Sequence, residues 1–275
     1  MKLSLRLPSF MHYLLLTVLA VIMIYPVYFA ISYAFMTTEQ VQAYPPSFFP
    51  ESFQFENFIL VTQMIPIIRF ILNSFVVSMV ITAGHLLTAS LAAYAFSFLQ
   101  FRGRNTLFAI FLATMMVPWE VTVIPNFMTI QQWGWMDSYL GLTVPHIASV
   151  FGIFMFRQFF LQLPRELFDA AKIDGCGHMR TFASIVIPLS RPAIGTFMVY
   201  SFLKAWNMYL WPLLITNNEK MRTVQIGITM LKNEDYSHWN LILAGVTLVF
   251  LPSLLLLILG MKQLVSGITG GAVKQ

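Results

Sequence analysis

The chain has 275 residues, 58% hydrophobic and only 10% charged, with a formal net charge of +5. A soluble domain carries about 25% charged residues, so this chain could not cover its surface in water without large apolar patches, and it is too hydrophobic to be disordered. One cysteine, Cys176, excludes an intrachain disulfide, and five scattered histidines (His12, His85, His146, His178 and His238), no two a helical turn apart, predict no metal site.

A helix needs about 20 mostly apolar residues to cross a bilayer. In chain order, the apolar runs predict six spans over about 12–35, 70–98, 107–130, 139–160, 193–216 and 241–261. Lys2 and Arg6 precede the first run as in a signal peptide. Its apolar stretch is too long for a signal h-region, and no small-residue cleavage site follows, so it is read as a retained helix. Residues 36–69 form a long connection containing the turn-rich run Ala43-Tyr44-Pro45-Pro46-Ser47-Phe48-Phe49-Pro50, which cannot continue a helix. Residues 99–106 form a short turn with Arg102, Gly103 and Arg104; 161–192 form a larger loop; 217–240 form a loop rich in Asn and charge. The sequence predicts an all-α membrane protein with a single transmembrane domain over residues 1–275.

Loop charge sets the direction. With the N-terminus in the cytoplasm, the inside holds eleven basic residues (Lys2, Arg6, Arg102, Arg104, Arg157, Arg165, Lys172, Arg180, Arg191, Lys262 and Lys274) against three acids, Glu166, Asp169 and Asp174. The outside holds four, Arg69, Lys220, Arg222 and Lys232, against seven acids. Both termini are therefore expected in the cytoplasm. Basic residues dispersed between apolar runs fit this bias and give no nucleic-acid surface.

The loop around 161–192 carries the sharpest pattern. Pro164 suits a first helical turn, and Glu166 and Asp169 sit near the positive end of that helix. Leu167, Ala170 and Ala171 fall at i, i+3 and i+4, giving a small apolar stripe. Asp174-Gly175 predicts a turn with positive φ at the glycine. A second helix is expected with Met179, Phe182, Ile185 and Val186 on one face, ended by Pro188. Such a helix pair either lies on the headgroups or lets another protein approach across its alanines.

Asp169-Ala170-Ala171, three residues, Gly175, nine residues, Ile185, one residue and Ile187-Pro188 resembles the EAA loop of permease subunits of binding-protein-dependent ABC importers. Asp169 stands where Glu is usual and Ile187 where Leu is usual; charge and apolarity are kept. Leu72-Asn73-Ser74, Trp206-Asn207-Met208-Tyr209-Leu210-Trp211-Pro212-Leu213 and the tail Ser266-Gly267-Ile268-Thr269-Gly270-Gly271-Ala272-Val273-Lys274 are similar to the carbohydrate-uptake branch, the second permease subunit of the maltose and sn-glycerol-3-phosphate importer type. Phe156-Arg157-Gln158-Phe159-Phe160 resembles the glycerol-3-phosphate system in particular.

The resemblance implies a type I importer permease in a bacterial or archaeal cytoplasmic membrane. It also implies a homologous second permease, a cytoplasmic ABC ATPase dimer that binds ATP and Mg, and an extracytoplasmic solute-binding protein. The EAA loop would supply the coupling helix, with Glu166, Asp169, Ala170, Ala171, Asp174, Gly175, Ile185 and Pro188 as ATPase-coupling residues. The chain has no G-x-x-x-x-G-K-[ST] loop, so no nucleotide or other cofactor is expected on it.

Apart from Arg157, which sits at the inner end of its span, the charges inside the expected spans are Glu120 and Lys204, about fourteen and twelve residues in, near mid-depth at 1.5 Å per residue. Three arrangements are open: an ion pair, a solute-path lining, or snorkelling to an interface. Pro118 and Pro125 can open the backbone ladder around Glu120. Trp119, Asn126, Trp206, Asn207, Tyr209 and Trp211 lie at similar or slightly outer depth, as a sugar-stacking surface or an interfacial belt. The expected solute path is Glu120, Asn126, Lys204, Trp206, Asn207 and Tyr209; His85 and His146 are read as packing residues. One cation facing one anion favours a neutral carbohydrate over a phosphate ester. A secondary transporter would leave the 161–192 loop unexplained. An intramembrane enzyme would need a nucleophile and base, metal ligands or paired carboxylates, and no G-x-S-x-G, H-E-x-x-H or pair of intramembrane carboxylates occurs.

Overall fold

A computed structural model describes residues 9–232 and 238–270, with side chains described over 10–232 and 238–261. Lys2, Arg6, Glu234, Asp235, Lys274 and the end of the similar tail lie outside the described residues, as does the side chain of Lys262. Among the described residues there are helices and turns and no strand.

Among the described residues, three helices are long and apolar enough to cross a bilayer, Phe10–Ala34, Ile67–Phe98 and Trp239–Met261, and three further pairs pass the same test as bent pairs. The unbroken helices are α1 (Ser9–Ala34), α4 (Ile67–Phe98) and α15 (Trp239–Gly270). Between α1 and α4 lie the short α2 (Thr38–Gln42) and α3 (Glu56–Met64).

The expected span 107–130 is α5 (Arg104–Thr114) and α6 (Trp119–Gln132), bent by 92° across residues 115–118. Pro118 starts α6 from an extended conformation and cannot serve as a donor to the preceding turn. The span expected over 139–160 is α7 (Tyr139–Thr143), a tight turn through Val144–His146, and α8 (Val150–Phe160), bent by 46°. Ser138 and Ser149 restart α7 and α8 by accepting from the Gly141 and Gly152 N–H groups, both at 3.1 Å.

The span expected from 193 begins earlier. Downstream of α9 (Arg165–Ile173), α10 (His178–Thr181) runs through a π-helical turn, Phe182–Val186, into α11 (Ile187–Leu189). A 79° bend at Ser190 leads into α12 (Arg191–Trp206). Pro188 does not end the second helix of the loop. It sits inside a continuous helical run, and the wider turn ahead of it accommodates the carbonyl it cannot satisfy. Phe182 and Val186 are buried and Ile185 is half-buried, while Met179, in the first turn of α10, is exposed, so the four expected residues are not packed as one face. After α12 the chain breaks at Asn207, resumes as α13 (Leu210–Ile215), and reaches α15 through α14 (Val224–Met230).

The described residues form two compact units, one within 1–68 and 227–251, the other within 69–226 and 252–275. In the second, two apolar clusters fix the packing. Phe156, Phe160, Val186 and Phe197 pack with Ala89 and Ala93 of α4; Val77, Ile81, Leu142, Trp211 and Ile215 form the other. Hydroxyls on the helices bond back to the preceding turn, as in Ser97 to the Ala93 carbonyl at 2.7 Å and Thr129 to the Pro125 carbonyl at 2.9 Å. In lipid this satisfies a donor that water cannot reach.

In the first unit, Asn57 is buried and joins three segments. Its Nδ2 donates to the Ala34 and Met36 carbonyls, both at 2.9 Å, and its Oδ1 accepts from Asn240 Nδ2 at 3.1 Å. Asn57→Ala would leave buried polar groups unmatched, so a destabilisation of about 1–3 kcal/mol is expected. A thermal melt of the detergent-purified chain reads it; an unshifted midpoint would refute the role.

Candidate functional site: a projecting helical loop and an intrahelical cavity

Both regions singled out by sequence lie in the second unit. In the loop, Pro164 caps α9, Glu166 lies in its first turn and Lys172 in its last. The helix ends in a Schellman motif: the Cys176 N–H donates to the Ala171 carbonyl at 2.8 Å and the Gly175 N–H to the Lys172 carbonyl at 3.1 Å. Gly175 has φ +71°, which reverses the chain from Asp174 into α10.

The loop is anchored to α4. The Phe168 ring lies 4.2 Å from that of Phe98, and Tyr94 Oη and His178 Nδ1 are 3.3 Å apart. The inward residues are therefore Phe168 and Ala171. Leu167 and Ala170, expected to share a stripe with Ala171, point outward because the aromatic of Phe168 takes the packed side. Glu166, Asp169 and Asp174 are exposed, and Ile173 and Met179 are 86% and 70% exposed. Beneath α9 a cavity of about 710 Å³ is lined by Arg104, Arg165, Asp169, Lys172, Cys176 and His178, among others.

A second cavity, of about 580 Å³, opens where three helices break, next to Met115, Ser149 and Tyr209. Lys204 and Tyr209 of the expected solute path line it; Glu120, Asn126, Trp206 and Asn207 do not. Glu120 is exposed as the second residue of α6, so a depth counted along an unbroken span does not apply to it. No ion pair joins it to Lys204. Trp206 is buried and stacked on Phe202 at 5.7 Å. Asn207 is exposed and caps α12, its Nδ2 donating to the Leu203 carbonyl at 2.8 Å and its Oδ1 accepting from Gln225 Nε2 at 3.3 Å.

The cavity also holds residues that sequence reasoning assigned to packing. His85 Nδ1 and Ser201 Oγ share a hydrogen bond of 2.8 Å. His146 lies between Trp119 and Trp211, with ring centroids at 4.6 and 5.7 Å, and its Nε2 is buried without a hydrogen-bond partner. Trp211 is core rather than belt: it is fully buried, and its Nε1 donates to the Gly141 carbonyl at 3.0 Å. The only sequence signals for this assembly were Pro118 and Pro145 beside the breaks; His85, His146 and Ser201 are too far apart along the chain to show a pattern.

The family described as "Binding-protein-dependent transport system inner membrane component" matches residues 86–269. The chain is 36% identical over 267 residues to the sn-glycerol-3-phosphate transport system permease protein UgpE of Escherichia coli O1:K1, covering 94% of this chain and 95% of that one. It is 34% identical over 265 residues to the protein of the same name from Brucella melitensis biotype 1, covering 93% and 94%. A solved bacterial ABC transporter involved in the import of the acidic polysaccharide alginate superposes with a TM-score of 0.82 at 21% identity, covering 95% of this chain and 98% of that one.

Proposed function

The chain belongs to the family of binding-protein-dependent transport system inner membrane components, and from that membership we propose how it works and with which partners. It is a permease subunit of an ATP-driven ABC importer of the sugar and glycerol-phosphate type, has the type I permease fold, and is a transport component rather than an enzyme. A homologous second permease completes the path, a binding protein delivers the solute from outside, and a pair of cytoplasmic ATPases binds ATP and Mg. The solute is a carbohydrate or related polyol, free or as a phosphate ester such as sn-glycerol 3-phosphate, the solute in the names of the relatives.

The observation that carries the coupling role is the outward tip of α9 and α10. Its apolar side chains Ile173 and Met179 stay exposed beside the carboxylates of Glu166, Asp169 and Asp174, while Phe168 and Tyr94 tie its base to α4. An apolar centre with a charged rim on a rigid support is suited to docking. Movement of the tip would pass to α4, which lines the cavity through His85. Co-expression with the neighbouring transport genes, followed by purification on this chain, should recover the ATPase. Its absence from a complex that still holds the second permease would refute the coupling role.

The topology follows from eleven basic residues inside against four outside. In a Cys176→Ser background, a cysteine at Asn217 should react with an impermeant thiol reagent added to intact cells, and one at Asn105 should not. The opposite labelling pattern would reverse the topology.

A further inference from the structure

The cavity at the three helix breaks is lopsided in charge. Lys204, His85 and His146 line it, and no Asp or Glu does. Lys204 has neither a hydrogen bond nor an ion pair with any described residue. The nearby His146 Nε2 is buried and unmatched, which is expensive at membrane depth unless a partner arrives. His85 is 18 residues from the start of α4 and 13 from its end, about 27 Å and 20 Å along the axis. The cavity therefore lies well inside the length of α4. The volume is that of a small-molecule site, and broken helices at this depth are tolerated where they line a cavity.

We infer that this cavity receives the anionic group of the imported solute, with Lys204 as its cation and His146 Nε2, in the tautomer that carries a proton there, as a hydrogen-bond donor. Trp119 and Trp211 wall the apolar side, where a carbon skeleton packs. Resting on the importer function proposed above, this selects a phosphate ester or carboxylate over a neutral sugar. Glu120, off the cavity and unpaired with Lys204, does not neutralise it.

The test uses the whole importer, with its second permease, ATPase and binding protein, in proteoliposomes, and labelled sn-glycerol 3-phosphate and maltose as probes. Lys204→Gln should lower sn-glycerol 3-phosphate uptake by about tenfold to a hundredfold, the loss of one charge-assisted hydrogen bond. Lys204→Arg should retain most uptake, and adding Glu120→Gln to Lys204→Gln should restore nothing. Undiminished uptake by Lys204→Gln, or rescue by Glu120→Gln, overturns the inference. A second readout needs no transport. In the Cys176→Ser background, a cysteine replacing Ala148 on the cavity wall should be protected from a small thiol reagent by millimolar sn-glycerol 3-phosphate but not by glycerol. Lys204→Gln should abolish that protection without changing labelling in the absence of solute. No protection, or equal protection by glycerol, overturns the anion site. A complex that assembles, responds to its loaded binding protein and carries only maltose overturns this inference and leaves the importer function standing; failure to assemble with the ATPase strikes the importer function itself.

Discussion

Replacing Gly175 with valine is expected to abolish transport while leaving the chain in the membrane. No atom lies within 4 Å of where a Cβ would stand, so the effect is not a clash. It comes from φ +71°, which a β-branched residue adopts only at a cost of about 1–3 kcal/mol. Relaxing that strain breaks the two hydrogen bonds that close α9, and a helix of nine residues does not hold its shape alone. The exposed tip would then present Ile173 and Met179 in the wrong relation to a docking partner. Membrane abundance should stay near wild type, while co-purified ATPase and solute uptake fall away. Gly175→Asn should do less damage, because asparagine tolerates the left-handed region. Wild-type uptake by Gly175→Val would sink the docking role of this loop.

Gly152→Val should unfold rather than uncouple. A Cβ there would lie 2.5 Å from Phe197 Cζ and 2.9 Å from Ala89 Cβ. Ala89 has no rotamer to change, and Phe197 is held against Phe156 at 5.1 Å and Phe151 at 6.3 Å. Helix α8 would have to move away from α4 and α12, and overpacking of this kind costs about 1–3 kcal/mol or more. Ser149, which caps α8 through the Gly152 N–H, would move with it and deform the cavity wall. The expected result is a lower melting midpoint and less monodisperse protein in detergent, partly restored by adding Phe197→Leu. An unchanged midpoint would mean that α8 does not need this close approach.

Composition and local pattern determined much of this. A chain with 10% charged residues has to be solvated by lipid, and the apolar runs mark where it crosses, because burying a backbone in hydrocarbon demands helix. The order Pro164, Glu166, Asp174, Gly175 is a start and a stop signal for one short helix, and those signals act within a few residues, so α9 and its glycine turn were legible. So was the family, carried by the spacing from Asp169 to Pro188.

Only the tertiary structure decided what those elements do together. The apolar runs 107–130 and 139–160 look continuous, yet each is broken, near Pro118 and Pro145, whereas Pro26, Pro125 and Pro252 sit inside α1, α6 and α15 without ending them; hydropathy averages over a proline and does not say which of them breaks a helix. A period of 3.6 does not describe the segment 182–186, because the π turn before Pro188 follows another. Above all, Lys204 and Glu120 stand together in the sequence because both are charges in apolar spans. In the cavity Lys204 instead neighbours His85 and His146, which lie 119 and 58 residues away in the chain. No local rule links residues that far apart. They meet because the helix breaks next to Met115, Ser149 and Tyr209 leave a space between α4, α8 and α12, lined also by Trp119 and Trp211.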